Sequence, residues 1–227
     1  MNPSYQPLVD FFREKLYHYQ REGLRIFASS SFQTHSIPML HIISEVDKTI
    51  PIYFLQTGYH FPETITYKNQ IAKHLGMEVI DLTSPVSKIN QRDKDGQLYF
   101  TVDPDYCCYL NKTLPMEPIL GQFDVWITGV RRDQNANRAA MDYESRGKHG
   151  ILRFHPMLEW NAKQIFQYIK DHDLPKHPLQ DQGYLSIGCE PCTLKLSAVM
   201  NSDRDSRWAG LNKTECGLHT DLVEIQP

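Results

Sequence analysis

The sequence predicts an α/β protein with a doubly wound, mainly parallel sheet and a C-terminal tail rich in loops. Short apolar runs alternate with amphipathic segments as far as His172, which is the pattern of strands connected by helices. Polar turns follow three of these runs, and ligands of such sheets bind where the strands end. From Leu174 onward, Pro, Gly and polar residues are frequent, so we expect loops that fold back over that edge.

Helices are predicted from apolar spacing and from the residues at their ends. Apolar side chains recur at intervals of three and four between Leu8 and Tyr19, which indicates an amphipathic helix. Pro38 and Pro62 suit the first turn of a helix, and Gly76 suits a helix end. The expected helices are residues 3–22, a helix that starts near Pro38, Pro62 to Leu75, and Asn161 to His172.

Short apolar runs predict the strands, at residues 24–28, 51–55, 77–82, 123–128 and 151–158. The loops that follow three of them, 29–36, 56–61 and 129–138, should lie at one edge of the sheet. The first of these loops is rich in serine and precedes a helix. It either holds phosphate on backbone N–H groups or only caps the helix, and both interpretations stay open.

Composition limits the classes of function. The 227 residues are 41% hydrophobic and 22% charged, enough for one core plus a C-terminal appendage. The net charge of −3 argues against a general nucleic-acid binder. No apolar run is long enough to cross a bilayer, and the N-terminus lacks the basic and apolar blocks of a secretory signal. We therefore expect a cytoplasmic protein without a membrane or nucleic-acid partner.

The chain contains five cysteines, an odd number that points to a metal or to catalysis rather than to disulfides. Cys189 and Cys192 form a CxxC, and Cys107 and Cys108 are adjacent. Adjacent thiols leave the backbone in different directions, so they suit different iron atoms of a [4Fe–4S] cluster better than one tetrahedral zinc. Zinc and four unligated core thiols remain as less favoured alternatives.

Cys216 is the cysteine left over after these two pairs. Lys213 and His219 lie within three residues of it, and such groups activate a thiol by lowering its pKa. Glu215 acts in the opposite direction. Taken alone, a single cysteine is more often a small buried residue than a nucleophile, so the hypothesis of a catalytic thiol depends on the pairing of the other four.

Two groups of arginines indicate an anion site, because the planar guanidinium matches phosphate and sulfate oxygens. They follow the fourth strand and occupy the tail, at Arg131, Arg132, Arg138, Arg204 and Arg207. Each group alone is more simply a solvated charged face. Together, beside a candidate nucleophile, they favour an anionic substrate.

In combination these motifs resemble the assimilatory adenylyl-sulfate and 3′-phosphoadenylyl-sulfate reductases, specifically their iron–sulfur branch. The resemblance covers nearly the whole chain. It is carried by Cys107-Cys108, by Thr57 to Thr64, by Thr128 to Gln134, by Cys189 to Cys192, and by Glu215-Cys216-Gly217-Leu218-His219. The pair CC, the CxxC and ECGLH are specific only when they occur together.

The resemblance implies a sheet of the adenine-nucleotide alpha-hydrolase type, with residues 1–200 as the nucleotide-binding domain and 201–227 as a mobile segment carrying the catalytic cysteine. It implies a [4Fe–4S] cluster on the four paired cysteines, with Lys112 beside it. Cys216, assisted by His219 and Lys213, is expected to form an S-sulfocysteine that thioredoxin or glutaredoxin reduces to sulfite. The substrate-binding residues implied are Ser30, Phe32, Gly58, Gly129, Arg131, Arg138, Arg204 and Arg207. The resemblance also allows a homo-oligomer.

The implied substrate is adenylyl sulfate, with 3′-phosphoadenylyl sulfate as the alternative, in the assimilation of sulfate into cysteine. The first loop departs from the commoner Ser-Phe-Gly-Ala-Glu-Asp, which leaves Gln33 and His35 without an assigned role. A tRNA-thiolating ATP pyrophosphatase of the same fold is a further alternative, but its glycine-rich loop is absent here. A zinc-containing nucleotide sensor without catalysis is the third hypothesis.

Overall fold

The computed structural model describes residues 4–196, 206–208, 213 and 215–222. Within these residues six strands form one sheet: β1 (Ile26–Ser29), β2 (Ile52–Leu55), β3 (Val79–Leu82), β4 (Val125–Thr128), β5 (Glu144–Arg146) and β6 (Leu152–Phe154). Their order across the sheet is β3-β2-β1-β4-β6-β5. The neighbouring strands are parallel, except that β5 runs antiparallel to β6. The predicted mainly parallel sheet is therefore confirmed.

The helices that connect the strands are, in chain order, α1 (Gln6–Arg21), α2 (Ile37–Val46), α3 (Pro62–Leu75), α4 (Tyr99–Val102), α5 (Pro104–Cys108), α6 (Leu114–Leu120), α7 (Ala136–Ala139) and α8 (Ala162–Asp171). A single π-helical turn, Tyr109–Thr113, joins α5 to α6. The apolar face of α1 is buried as its spacing predicts, and α3 ends at Gly76, whose φ of 63° is left-handed.

Both faces of the sheet are covered, as a doubly wound fold requires. Alternate residues of the central strands explain how. Ala28 and Ile127 face the core that contains α1, α2, α3 and α8. Phe27 and Trp126 face a smaller apolar cluster that contains Met116 and Leu120 of α6. In each strand neighbouring side chains point to opposite faces, so one short apolar run supplies both cores.

The structure corrects several predicted boundaries. The run 151–158 is a strand only over Leu152–Phe154, and the following residues turn before Asn161 caps α8 through a hydrogen bond to Gln164. The short strand β5 was not predicted. Its residues Glu144–Arg146 lie at the sheet edge and are polar, so they carry none of the apolar alternation by which a strand is recognised.

The described part of the tail returns to the sheet. From Leu174 it consists of loops and short 3-10 turns, as expected. Leu222 is fully buried in the α6 cluster, and its carbonyl accepts a hydrogen bond from the backbone N–H of Lys148 at 3.1 Å. The predicted division of the chain at residue 200 remains a prediction. None of the helices among the described residues is long and apolar enough to span a membrane.

Candidate active site

A cleft lies at the carboxyl ends of β1, β2 and β4, which is where the three polar loops were predicted to meet. We call it the strand-end cleft. The tail closes one side of it. Its lining includes Ser30, Gln33, His35, His60, Lys112, Gly129, Arg138, Gly188, Cys189, Arg207, Cys216 and His219. The sheet topology thus brings together residues that are far apart in the sequence, from Ser29 to His219.

The serine-rich loop after β1 is held by its own side chains. Ser30 Oγ accepts a hydrogen bond from the backbone N–H of Phe32 at 3.0 Å and donates one to Ser36 Oγ at 3.1 Å. Phe32 has a left-handed φ of 53°, and its buried ring packs edge-on against Phe54. Ser30 therefore lines the cleft, whereas Phe32 lies behind the loop and fixes its path.

Of the two glycines predicted at the site, Gly129 lines the strand-end cleft and Gly58 does not. Gly58 follows β2 with a left-handed φ of 70°, and its backbone N–H donates to Gln56 Oε1 at 3.2 Å. A side chain there would be strained and would meet the end of Lys88. Gly58 therefore acts on the shape of its loop.

Arg138 and Glu215 form a buried ion pair that holds the cysteine-bearing segment against the cleft. Arg138 Nε donates to Glu215 Oε2 at 2.6 Å and Nη2 donates to Oε1 at 2.9 Å. The side chains are only 8% and 3% exposed. Asn135 Nδ2 also donates to Glu215 at 2.9 Å, and the backbone N–H of Cys216 donates to Oε1 at 2.9 Å. Such forked charge-assisted bonds fix geometry as well as position.

Cys216 is buried at 9% exposure and lines the strand-end cleft. A hydrogen bond with the Cys108 thiol lowers the pKa of Cys216 well below its ordinary value, although burial acts against this. The charge of Lys112 lowers this pKa further, and Glu215 raises it. As predicted, a cation and Glu215 shift the pKa of Cys216 in opposite directions. The cation is Lys112, from the π-helical turn.

A second cavity adjoins the first and is lined by all four paired cysteines. We call it the cysteine cavity. Cys107 and Cys108 end α5 on one side, and Cys189 and Cys192 come from the tail loop on the other. Thr57 Oγ1 lies 3.3 Å from Cys189 Sγ. Among the described residues, no three Cys, His, Asp or Glu side chains converge as ligands of one metal ion.

Lys112 and Arg207 line both cavities. Burial opposes the charge on Lys112, but electrostatic interaction with the sulfur groups of Cys108, Cys216 and Cys189 raises its pKa above the ordinary value. Arg207 Nε donates to the carbonyl of Cys192 at 3.3 Å. Positive charge is therefore concentrated in the wall that separates the cysteines from the cleft.

Three other predicted residues lie away from the cleft or cannot be placed. Arg131 is 4% exposed and pairs with Asp133 at 2.9 Å. Lys213 pairs with Asp105 and lies over the ring of Trp208, with 5.6 Å from Nζ to the ring centroid. Neither is in the cleft lining. Arg204 lies outside the described residues.

Several residues at the site were not identified from sequence. Gln33 Oε1 accepts the backbone N–H of Ile187 at 3.1 Å and so joins the serine-rich loop to the tail. Arg153 and His155, inside the predicted strand 151–158, are each 1% exposed. Charged or polar residues in a central strand are a usable signal, because such strands are normally apolar on both faces.

Comparison with known proteins relates most of the chain to one family. A family model described as phosphoadenosine phosphosulfate reductase domain matches residues 25–195. An adenosine 5′-phosphosulfate reductase of Chelativorans sp. is 40% identical over 197 residues, which cover 86% of this chain and 79% of that protein. A phosphoadenosine 5′-phosphosulfate reductase of Gloeobacter violaceus is 34% identical over 202 residues, which cover 87% of this chain and 83% of the relative.

Solved structures share the fold at low sequence identity. The crystal structure of phosphoadenylyl-sulfate reductase from Candida auris, a phosphate complex, has a TM-score of 0.63 and 21% identity and covers 82% of this chain and 96% of its own. Candida glabrata FMN adenylyltransferase has a TM-score of 0.63 and 12% identity and covers 95% of this chain and 77% of its own. These likenesses concern the fold, and they confirm the predicted adenine-nucleotide alpha-hydrolase type of sheet.

Proposed function

The chain belongs to the phosphoadenosine phosphosulfate reductase family, and on that premise we propose that it reduces adenylyl sulfate to sulfite and AMP through a covalent intermediate on Cys216. The expectation of an oxidoreductase that acts on sulfur is confirmed by the family. The observation that carries the proposed mechanism is the position of Cys216. It lines the strand-end cleft, whereas Cys107, Cys108 and Cys192 line only the neighbouring cavity.

In the first proposed step, the Cys216 thiolate attacks the sulfur of the sulfonyl group. A bond forms between Sγ and that sulfur, the bond from sulfur to the bridging oxygen breaks, and AMP leaves with the electron pair. The product on the protein is an S-sulfocysteine. The positive charge of Lys112 supports this role, because it lowers the pKa of Cys216 and the thiolate is the nucleophilic form.

In the second proposed step, a thiolate of thioredoxin or glutaredoxin attacks Sγ of Cys216 and sulfite leaves. The second thiol of the reductant then resolves the mixed disulfide, so that Cys216 returns as a thiol and the reductant is oxidised. Two thiol displacements thus replace one difficult reduction. Residues 201–227 are proposed to act as a segment that covers the nucleotide in the first step and presents Cys216 to the reductant in the second.

We place the nucleotide in the strand-end cleft and assign its anionic groups to cations that line it. Arg207 and Lys112 are the proposed contacts, together with Ser30 and Gly129. We propose that the positive charge of Arg138 attracts the anionic group of the substrate while Arg138 stays paired with Glu215. Phe32, Gly58 and Arg131 are proposed to support the binding loops from behind, and Lys213 to attach the cysteine-bearing segment to Asp105.

The residues present fit an iron–sulfur cluster, and we propose a [4Fe–4S] cluster on Cys107, Cys108, Cys189 and Cys192. Four thiols from two segments of the chain line one cavity, and four cysteine thiolates are the ligand set of a [4Fe–4S] cluster. Lys112 supplies a buried positive charge beside them. When bound, the cluster would supply a rigid, negatively charged centre rather than electrons for the reaction.

The preference for adenylyl sulfate over its 3′-phosphorylated form is proposed from the resemblance to the iron–sulfur branch. Relatives of similar identity are named for each of the two nucleotides. Measuring kcat/KM with both nucleotides decides between them, and a higher value with the 3′-phosphate would reverse the assignment. A tRNA-thiolating enzyme would need a glycine-rich loop after β1, and residues Ser30–Ser36 of this chain contain no glycine.

The proposed intermediate is tested by Cys216→Ser. We expect this variant to form no sulfite while it retains nucleotide binding, because a hydroxyl does not replace the thiolate. The wild type incubated with substrate and no reductant should gain about 80 mass units, one SO₃ group, on the peptide that contains Cys216. Cys192→Ser is the comparison, because it removes a proposed cluster ligand but not the nucleophile, and any adduct that it forms should still lie on Cys216. An adduct on another cysteine, or turnover by Cys216→Ser, would refute the mechanism.

The proposed cofactor is tested on protein purified without oxygen. We expect iron and acid-labile sulfide in equal amounts, with absorbance at about 400 nm. Replacement of Cys107 by Ser should reduce both, and replacement of Cys216 should reduce neither. If the protein instead contains stoichiometric zinc and no sulfide, the cluster is refuted and the cysteines bind zinc.

A further inference from the structure

Arg153, in the middle of β6, is a buried cation with few partners. It is 1% exposed, and no carboxylate among the described residues pairs with it. Its Nε has no hydrogen-bond partner there either. Burying a guanidinium without an acid is unfavourable, and the Arg153 side chain does not line the strand-end cleft. Within the part of the chain that the structure describes, Arg153 thus forms no salt bridge and does not reach the cleft surface.

The contact that Arg153 does make is with His219, which lines the cleft. Arg153 Nη2 lies 3.1 Å from His219 Nδ1. The guanidinium also lies over the ring of Trp126, with 5.2 Å from Cζ to the ring centroid. Arginine has donors and no acceptor. The Nδ1 of His219 must therefore accept, so a neutral imidazole in this contact carries its proton on Nε2.

The surroundings keep this imidazole neutral. Burial lowers the pKa of His219 well below its ordinary value, and the charges of Arg138 and Arg153 lower it further. The charge of Glu215 raises the pKa of His219, and the nearby His155 lowers it. Loss of a proton from Cys216 to His219 would place a second positive charge against Arg153. A base is thus disfavoured at this position, and a hydrogen-bond donor is favoured.

We propose that Arg153 is a positioning residue that fixes His219 as a neutral hydrogen-bond donor through Nε2, for an anionic group in the strand-end cleft. Under the proposed function, on which this part rests, that group is the sulfonyl of the substrate or the Cys216 thiolate. His219 does not accept the proton of Cys216. The oxygen atoms of a sulfonyl group gain negative charge as its bond to the nucleotide breaks, and a fixed donor stabilises that charge.

The tautomer is measured first, because this readout does not depend on activity. Protein labelled with ¹⁵N-histidine gives two-dimensional spectra that distinguish the proton on Nε2 from the proton on Nδ1, and His219→Gln assigns the signal. We expect the Nε2–H form in the wild type and in Arg153→Lys, which retains a donor. Arg153→Met, of similar length without a donor, should lose it or mix the two forms. A thermal melt checks that each variant folds.

A purely structural role for Arg153 would lower the melting temperature of Arg153→Met and leave the tautomer unchanged, which would overturn the proposal. So would an Nδ1–H imidazole in the wild type. If the protein shows no activity toward adenylyl sulfate but gives these spectra, the proposed substrate fails and the role of Arg153 stands.

Kinetics separates a donor from a base. His219→Gln places an amide N–H near the position of Nε2 but cannot accept a proton, and His219→Ala supplies neither. We expect His219→Gln to retain most of kcat and His219→Ala to lose about tenfold to a hundredfold. Arg153→Met should lose a similar factor, with little further loss in the double variant Arg153→Met/His219→Ala. Equal losses for glutamine and alanine at residue 219, or additive losses in the double variant, would contradict the proposal.

Discussion

At the scale of single residues, the presentation of Cys216 depends on the ion pair between Arg138 and Glu215. Both side chains are buried, and the pair accounts for two of the hydrogen bonds that attach the segment 215–222 to α7. Removing one partner of a buried pair leaves the other charge uncompensated, which typically costs about 3–5 kcal/mol. Here the pair holds only the segment 215–222, so its loss should detach that segment without unfolding the rest of the protein.

We therefore expect Glu215→Gln to release Cys216 from its buried position. In the absence of nucleotide, iodoacetamide should modify Cys216 at least about tenfold faster than in the wild type, a factor that corresponds to about 1.4 kcal/mol. The modified peptide is quantified by mass spectrometry. Asp133→Asn is the matched control, because it breaks the partly exposed pair with Arg131 and does not touch the segment. Equal rates for the two variants would show that the pair does not hold Cys216.

At the scale of elements, the loop that leads into the CxxC is shaped around Arg207. A Cβ atom on Gly188 would clash with Nη2 of Arg207, so any side chain there forces the guanidinium away. Gly188 has no left-handed φ, and the backbone itself tolerates another residue. The absence of a side chain is needed for the close approach of the arginine to the loop.

Gly188→Ala should therefore displace Arg207 while it preserves the fold. Because Arg207 is a proposed contact to the anionic substrate, we expect KM for the nucleotide to rise about tenfold, with a smaller change in kcat. Gly121→Ala is the control, since a Cβ atom there meets nothing within 4 Å and the backbone is helical. An unchanged KM in Gly188→Ala would remove Arg207 from the binding site.

The π-helical turn Tyr109–Thr113 is the other element that shapes the site. It follows directly after Cys107 and Cys108 and carries Lys112. π-helical turns inside α-helices occur frequently at functional sites. Here the turn allows one short segment to supply two thiols to the cysteine cavity and one cation to both cavities. Lys112 lines the cysteine cavity together with the four thiols, and its place beside a cluster stays a proposal.

At the scale of the whole molecule, buried histidines connect stability to pH. His155 lies at the end of β6 and its Nδ1 is 2.6 Å from Thr128 Oγ1. Burial, with the charges of Arg153 and Arg138, lowers its pKa from 6.5 to about 3. Between these two values the unfolded chain binds a proton that the folded chain does not. The stability that His155 contributes is therefore complete above pH 6.5 and falls as the pH decreases toward 3.

Between pH 7 and pH 5 this one group should reduce the free energy of unfolding by roughly 2 kcal/mol. In His155→Asn, where the amide can still bond to Thr128, that part of the decrease should disappear. Urea unfolding at several pH values measures it as a flatter dependence on pH. His74→Asn, a change at an exposed histidine, should leave the dependence as in the wild type. An identical slope in both variants would mean that His155 is protonated in the folded state.

The sequence alone determined the class of fold, the order of the main elements and the division of the cysteines into two pairs and one remainder. These features are encoded locally, in apolar runs, in Pro and Gly at helix ends, and in short motifs, so they can be read without knowing which residues meet. The elements that it missed lack such signals. The polar edge strand β5 has no apolar alternation, and Arg153 sits in a run that is otherwise typical of a strand.

The tertiary structure alone decided which predicted residues share a site. Arg131 and Arg138 are seven positions apart, yet only Arg138 lines the strand-end cleft, and it is paired with Glu215, 77 residues away. The contact of Arg153 with His219 likewise joins residues 66 positions apart. Such pairs depend on how the strands are ordered in the sheet and where the tail docks. Those features result from packing of the whole chain, and no local pattern specifies them.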